Sequence, residues 1–298
     1  MIAIIGATGS LGSEVAGQLL AAGTRVVAVT RVASKAADLT ARGAEVRVAD
    51  LTDAASLGRA VAGAEAVVAA AHSLLGRGRY VSARVDDAGH RALIDASREA
   101  GVAHFVYTSV QGASPTHPVE FWRTKFGIEK YLEASGLSYT ILRPTAFMET
   151  HAHELLGKAI LAGKPANIFG AGTRPLNFVA VRDVAALAVR ALTDPLARGA
   201  TIEIGGPENL TRLEVAALYA RLSGRPLATR HLTRGALKVL SAMLRPLHPG
   251  ISGVMRASIE FETIDQTFDP SDTLQRFPCL LTTLETFVRE RIEPTRSR

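Results

Sequence analysis

Short, continuous apolar runs alternate along the first half of the chain with longer stretches whose apolar residues recur every three or four positions. The runs are IAIIG from Ile2, RVVAVT from Arg25, AEVRVAD from Ala44, EAVVAAA from Glu65, HFVYTS from His104 and SYTILRP from Ser138. Between them lie GSEVAGQLLAAG, SKAADLTARG, DAASLGRAVAG, SARVDDAGHRALIDASREAG and RTKFGIEKYLEASG. Several of these end in glycine, the usual C-cap of a helix. Runs that are apolar at nearly every position predict strands buried on both faces, and the longer periodic stretches predict helices. Strand and helix in this alternation predict an α/β fold with a doubly wound parallel sheet and right-handed crossovers.

After Pro144 the rhythm changes. THAHELLGKAILAG reads as a helix, and FGAGTRPLNFVAV as a loop feeding a strand. Asp183 is expected to N-cap the helix VAALAVRAL, and TIEIGG supplies a late strand. Thr211 and Glu214 form a T-x-x-E capping box for the helix that begins there. From Arg225 to Pro278 the chain is rich in Pro, Gly and Arg without a strong period, and LLTTLETFVRERI closes it as a helix. The organisation expected is one domain over residues 1–298, with the sheet core mainly in 1–145 and 176–205. A small C-terminal substrate lobe is expected mainly in 146–175 and 206–298.

Composition narrows the class. Of 298 residues 47% are hydrophobic and 21% charged, which excludes wholesale disorder. The longest near-apolar stretch, Val61 to Ala71, is too short to cross a bilayer and contains Glu65, so no membrane partner is expected. With strand-like sequence from Ile2 no secretion signal is expected, and Cys279, the single cysteine, rules out an intrachain disulfide and a cysteine zinc site. A cytoplasmic location is the expectation. Net charge is +6, but the basic residues are scattered. Their densest spots are GRGRYVSAR (Arg77, Arg79, Arg84) and the tail RERIEPTRSR, neither a long like-charge run, so nucleic acid is not expected as a partner. Arginine accounts for 28 of the 34 basic residues, which makes a lysine at a meaningful spacing informative.

Candidate chemistry begins at the first strand. Gly6-Ala7-Thr8-Gly9-Ser10-Leu11-Gly12 follows a strand and opens a helix. In that context Gly6 permits a tight turn, Gly9 lets backbone approach a pyrophosphate, and Gly12 allows the helix to pack closely. Free N–H groups at the helix start then receive the phosphate charge. At the end of the second strand an acid would select NAD by its ribose hydroxyl. RVVAVTR instead places Arg31 there, a guanidinium suited to a 2′-phosphate, so NADP is favoured over NAD.

The G-x-x-G-x-x-G loop resembles that of atypical short-chain dehydrogenases/reductases. Asp50-Leu51 after the third strand, YTS at Tyr107–Ser109, K-x-x-x-E at Lys125 and Glu129, SGLSYTILRPTAFME and GGPENLT extend the likeness. Together they resemble the NmrA-like branch, whose members include NADPH-dependent quinone and dye reductases and redox-sensing regulators. The resemblance implies cofactor contacts at Gly6, Thr8, Gly9, Ser10, Leu11 and Gly12, and at Arg31 beside Asp50 and Leu51, which flank adenine. It further implies Ala70, Thr108, Ser109, Lys125 and Pro144, with Lys125 bonding the nicotinamide ribose or relaying a proton.

One departure matters. Typical members of the superfamily donate a proton from the tyrosine of Y-x-x-x-K, and this chain has Phe121-Trp122-Arg123-Thr124-Lys125. Reducing a simple ketone leaves a localised alkoxide that needs a positioned acid, whereas a quinone spreads the charge. The expected activity is therefore hydride transfer to a quinone-like or conjugated small molecule. Trp122, Phe147 and Met148 are candidates for a flat apolar pocket, with the protein core as the alternative place for them. A non-catalytic dinucleotide sensor acting through a protein partner, or an assembly scaffold, needs the same loop and does not need the tyrosine. His151, His153 and Glu154 lack the spacing of a zinc motif, and Ser109 has no evident triad, so neither a metal site nor a hydrolase is expected.

Overall fold

The computed structural model describes residues 1–296; the final two positions of the basic tail, 297 and 298, lie outside them. In chain order the strands and helices of the first half are β1 (Ile2–Ile5), α1 (Ser10–Ala21), β2 (Val26–Thr30), α2 (Ala37–Ala41), β3 (Glu45–Val48), α3 (Ala54–Val61), β4 (Ala66–Ala69), α4 (His90–Glu99), β5 (His104–Thr108), α5 (Glu120–Glu133) and β6 (Tyr139–Pro144). The second half adds β7 (Ala146–Phe147), α6 (Lys158–Leu161), β8 (Ala166–Phe169), β9 (Pro175–Val179), α7 (Val181–Ala191), β10 (Ala200–Ile204), β11 (Asn209–Thr211), α8 (Arg212–Ser223), β12 (Thr229–Leu232), α9 (Arg234–Leu244), α10 (Pro249–Glu260), α11 (Ser271–Arg276) and α12 (Leu284–Arg296).

The chain divides into two compact units. The first comprises Met1–Arg143 and Val184–Glu203, and the second Pro144–Asp183 and the described residues from Ile204 onward. In the first, a seven-stranded sheet runs β10-β6-β5-β4-β1-β2-β3. The pairs joining β3 through β6 are all parallel, so the doubly wound α/β fold is present. β1, β2 and β4 have no exposed residue, as their unbroken apolar runs require, whereas β3, at the edge of the sheet, exposes Glu45 and Val48 where burial on both faces was expected. Val27, Val67, Phe105, Ile128 and Ile141 meet in its core. Strand order reverses between β1 and β4, so their C-terminal ends border the crevice where such sheets bind ligands.

The second unit holds β7, β9 and β11 in a small sheet and β8 with β12 in another, packed with α8 and α12 around Leu156, Phe178, Tyr219 and Phe287. Residues 176–183, assigned by sequence to the sheet core, lie in this unit because β9 pairs with β7 and β11. Asp183 is not the N-cap expected. The helix starts at Val181, whose N–H donates to the Glu149 carboxylate at 3.1 Å, and Asp183 accepts the Thr282 N–H and hydroxyl at 2.8 and 2.9 Å. The Thr211–Glu214 capping box is formed in full. Two helical stretches, Ala83–Gly89 and Met148–Gly157, are π-helical and run on into α4 and α6.

Candidate functional site

The glycine loop owes its shape to steric limits at two positions. Gly6 has φ +83°, and a Cβ there would sit 2.9 Å from that of Ala71, so the loops after β1 and β4 touch. A Cβ on Gly12 would overlap the Gly6 carbonyl oxygen and press on Ala7. Gly12 therefore lets α1 close onto the loop itself. Gly9 differs from both. Its φ of −82° suits any residue, and only the Gly6 carbonyl, at 3.3 Å, lies near an added Cβ. The exposed side of Gly9 is open, and no side chain caps α1, so the N–H groups of its first turn point outward with the helix dipole behind them. Ser10 begins that turn and is exposed, while Leu11 is buried beneath it.

A cavity of about 450 Å³ lies beside the loop, at the C-terminal ends of β2 and β3. Thr8, Arg31, Lys35, Asp50, Arg59 and Tyr80 are among its walls. The Thr8 hydroxyl meets that of Thr30 at 3.3 Å. Arg31 lies over the Tyr80 ring, its Cζ 4.4 Å from the centroid, and Arg79 approaches the same ring at 5.5 Å. The Asp50 carboxylate accepts the Thr52 N–H at 2.8 Å and hydroxyl at 2.9 Å, and the Tyr80 hydroxyl at 3.1 Å. Burial works to raise its pKa, but these bonds and the nearby Arg79 outweigh it and hold the group below the usual aspartate value. Its charge is thus engaged. Arg31, Lys35 and Arg59 form no ion pair among the described residues, which leaves three cations of the wall outside salt bridges, one of them Arg31 over the Tyr80 ring.

The second centre lies at the ends of β4 and β5. Lys125 on α5 is only 3% exposed, and its Nζ donates to the Thr108 carbonyl at 2.9 Å. The ammonium lies 4.8 Å from the Tyr107 ring centroid and 5.5 Å from that of Phe121. Burial pushes its pKa below the ordinary lysine value, while Asp86 and Glu129 pull in the other direction. Glu129 does not pair with it at i,i+4 as a surface helix would have it. The Glu129 carboxylate receives Arg143 at 2.6 and 2.9 Å and also the Ser109 hydroxyl. Ser109 is consequently committed within the protein, its N–H going to the Leu142 carbonyl at 2.7 Å. Asp86, fully buried, accepts the Ser73 N–H at 3.1 and 3.2 Å. His72 meets Phe121 edge-on, with ring centroids 6.3 Å apart.

The remaining sequence candidates are placed as follows. Ala70 follows β4, its N–H bonded to the Ile5 carbonyl at 3.0 Å, and Leu51 belongs to the core of the first unit. Trp122 stacks on His117 at 5.1 Å and donates to the Gln111 carbonyl at 2.9 Å. Pro144, Phe147 and Met148 fall in the second unit. Met148, at 1% exposure, takes the core alternative and belongs to that unit's core. His153 likewise turns to the protein and bonds the Tyr219 hydroxyl at 3.1 Å. Missed by sequence were Lys35, Arg79, Tyr80, Asp86, His72 and the Arg143–Glu129 pair. GRGRYVSAR stood out as basic, but nothing in its spacing tied Tyr80 to Asp50, thirty residues earlier.

The arrangement fits a dinucleotide. Gly9 offers an open backbone face, α1 an uncapped N-terminus, and the cavity cations outside ion pairs, Arg31 and Lys35 among them. Thr108 adds a buried hydroxyl without a hydrogen-bond partner among the described residues. Known proteins agree. The family model described as NmrA-like matches residues 1–288. The NAD(P)H azoreductase of Xenophilus azovorans is 32% identical over 228 residues, covering 76% of this chain and 75% of that one. Quinone oxidoreductase 2 of Escherichia coli is 31% identical over 288 residues, 93% of each chain. The crystal structure of an Escherichia coli NADPH-dependent quinone oxidoreductase complexed with NADPH superposes with a TM-score of 0.73 at 28% identity, covering 98% of this chain and 99% of that one.

Proposed function

Since the chain belongs to the NmrA-like family, of the atypical short-chain dehydrogenase/reductase type, we propose that it is an NADPH-dependent oxidoreductase whose acceptor is a quinone-like or conjugated small molecule. One observation carries the reading. Phe121, four residues before Lys125, stands where related enzymes place a proton-donating phenol, and its ring lies 5.5 Å from the lysine Nζ. An acceptor that leaves a localised alkoxide has no phenol to protonate it there. An acceptor that delocalises the incoming charge is protonated afterwards by water or by a weak acid.

Bound NADPH would supply the hydride. The residues that hold it are the Gly6–Gly12 loop and the N-terminus of α1 for the pyrophosphate, with Arg31 and Lys35 for the 2′-phosphate. An arginine and a lysine without acidic partners favour NADPH over NADH. Lys125 has three N–H donors, and the Thr108 carbonyl takes one. The others serve the ribose hydroxyls or pass a proton from Nζ toward the acceptor. Its lowered pKa suits that transfer. Thr108 and Asp86 keep the ammonium from moving away, the first by its carbonyl and the second by its charge.

The test is NADPH oxidation by the purified protein with quinones, azo and triphenylmethane dyes, enones and simple ketones. Turnover on the delocalised acceptors and none on the ketones is the expected outcome. Comparable turnover on simple ketones would remove the role given to Phe121. Tight NADPH binding with no turnover on any acceptor would favour the sensor acting through a protein partner.

A further inference from the structure

Residues 225–259 contain six basic residues and no acid, a charge equal to the whole chain's net +6. The rest of the molecule is therefore balanced, and its excess charge resides in one segment of the second unit. Arg225, Arg230, Arg234, Lys238, Arg245 and Arg256 are all exposed. Within this segment α9 packs on α10 through Leu237 and a serine pair, the Ser241 and Ser252 hydroxyls meeting at 3.0 Å. The opposite side of α9 is apolar as well. Val239 is 62% exposed, Leu240 41%, Met243 67% and, in the turn that follows, Leu247 76%. Positions 239, 240 and 243 share one arc of the helix. Arg234, Lys238 and Arg245, spaced by four and seven, follow the other edge of the exposed surface.

Each half of this pattern excludes an occupant. A second copy of the chain would bring six like charges against six. A nucleic acid would neutralise the cations but leave Val239, Met243 and Leu247 in water or against phosphate. A bilayer with anionic headgroups answers both, with phosphate at its surface and hydrocarbon a few ångströms below. No helix among the described residues is long and apolar enough to span a membrane, and a helix lying on the surface need not be. We propose that α9 and the turn after it rest on an anionic membrane surface, the apolar side chains entering the headgroup boundary and the cations of 225–259 facing lipid phosphates.

The experiment is co-sedimentation of the full chain with vesicles of phosphatidylglycerol and phosphatidylcholine, or of phosphatidylcholine alone. Each cation near an anionic surface strengthens partitioning about fivefold. The chain should therefore prefer the anionic vesicles by roughly tenfold or more, and lose the preference in high salt. M243D with L247D should lower partitioning by at least about tenfold while leaving NADPH affinity unchanged, because both side chains are exposed. Absence of partitioning, equal partitioning into both vesicles, or a double variant that binds like the parent would overturn the proposal. So would a lipid-free dimer, seen by sedimentation velocity, that the double variant abolishes, because the face would then be an interface between copies.

Discussion

A buried ammonium must take its hydrogen bonds from whatever the fold places beside it, and Lys125 has one carbonyl and two aromatic faces. Replacing it by methionine preserves the apolar stem and removes the donors. Lys125→Met is therefore expected to lower kcat by roughly a hundredfold, measured at saturating NADPH and quinone, with less than about a tenfold change in NADPH affinity. Full turnover in that variant would show that Nζ takes no part. Arg31 acts at the other end of the site. Arg31→Glu puts an acid where the 2′-phosphate is expected, and NADPH should bind roughly tenfold to a hundredfold more weakly while NADH changes little. Parallel calorimetric titrations of the two nucleotides decide it. The sequence singles out Arg31 by its place just after a strand end and Lys125 by its place in the superfamily's Y-x-x-x-K motif. The roles of Tyr80 and Arg79 were not legible there, since they reach Arg31 and Asp50 from a loop whose path depends on tertiary contacts.

Elements turn the same local rules into larger effects. Gly9 and Gly12 stand three residues apart in one loop, yet they fail differently. A Cβ on Gly12 meets backbone that cannot give way without shifting α1. Gly12→Ala should therefore lower the stability of the protein by about 1–3 kcal/mol in urea unfolding, and NADPH binding with it. Gly9→Asp should retain the stability and abolish NADPH binding, because the added group enters only the open face and opposes the phosphates. Equal urea midpoints for Gly12→Ala and the parent would mean that the loop absorbs the methyl group. The helices of the last hundred residues show where periodicity stops being informative. α9 carries Leu237 toward the protein and Val239, Leu240 and Met243 away from it, so apolar residues lie on two faces with only a narrow cationic edge at Arg234 and Lys238 between them. The stretch lacks a readable period for the reason that makes its surface unusual. Asp183 misled in another way, for a capping residue followed by an apolar run is a local signal. Here Thr282, a hundred residues later, captures the carboxylate.

At the scale of the molecule, three histidines are held uncharged in both compact units. Burial, and then the positive charge of Lys125, push His90 down to about 4. Burial and Arg198 do the same for His104, and burial and Arg212 for His151, each also to about 4. An unfolded histidine titrates near 6.5. Between pH 6.5 and 4 the unfolded chain therefore binds protons that the native state refuses, and stability rises with pH through that window. The contribution is complete above the unfolded value and is lost as the solution is acidified toward the folded one. Glu149 and Asp183 act with the opposite sign, since burial raises both. Their window runs upward from the ordinary carboxylate values, so they offset part of the histidine slope. A histidine ring lowered to about 4 costs about 2 kcal/mol of stability between pH 7 and pH 5. Urea midpoints should fall from pH 7 to pH 5. His104→Gln removes one of the three titrations at a site where the Ser138 and Thr140 hydroxyls, both at 3.0 Å, provide hydrogen-bond partners for an amide. That variant should be less stable than the parent at pH 7 yet lose less on acidification. A parent protein with the same midpoint at both pH values would mean that these rings accept protons inside the folded structure.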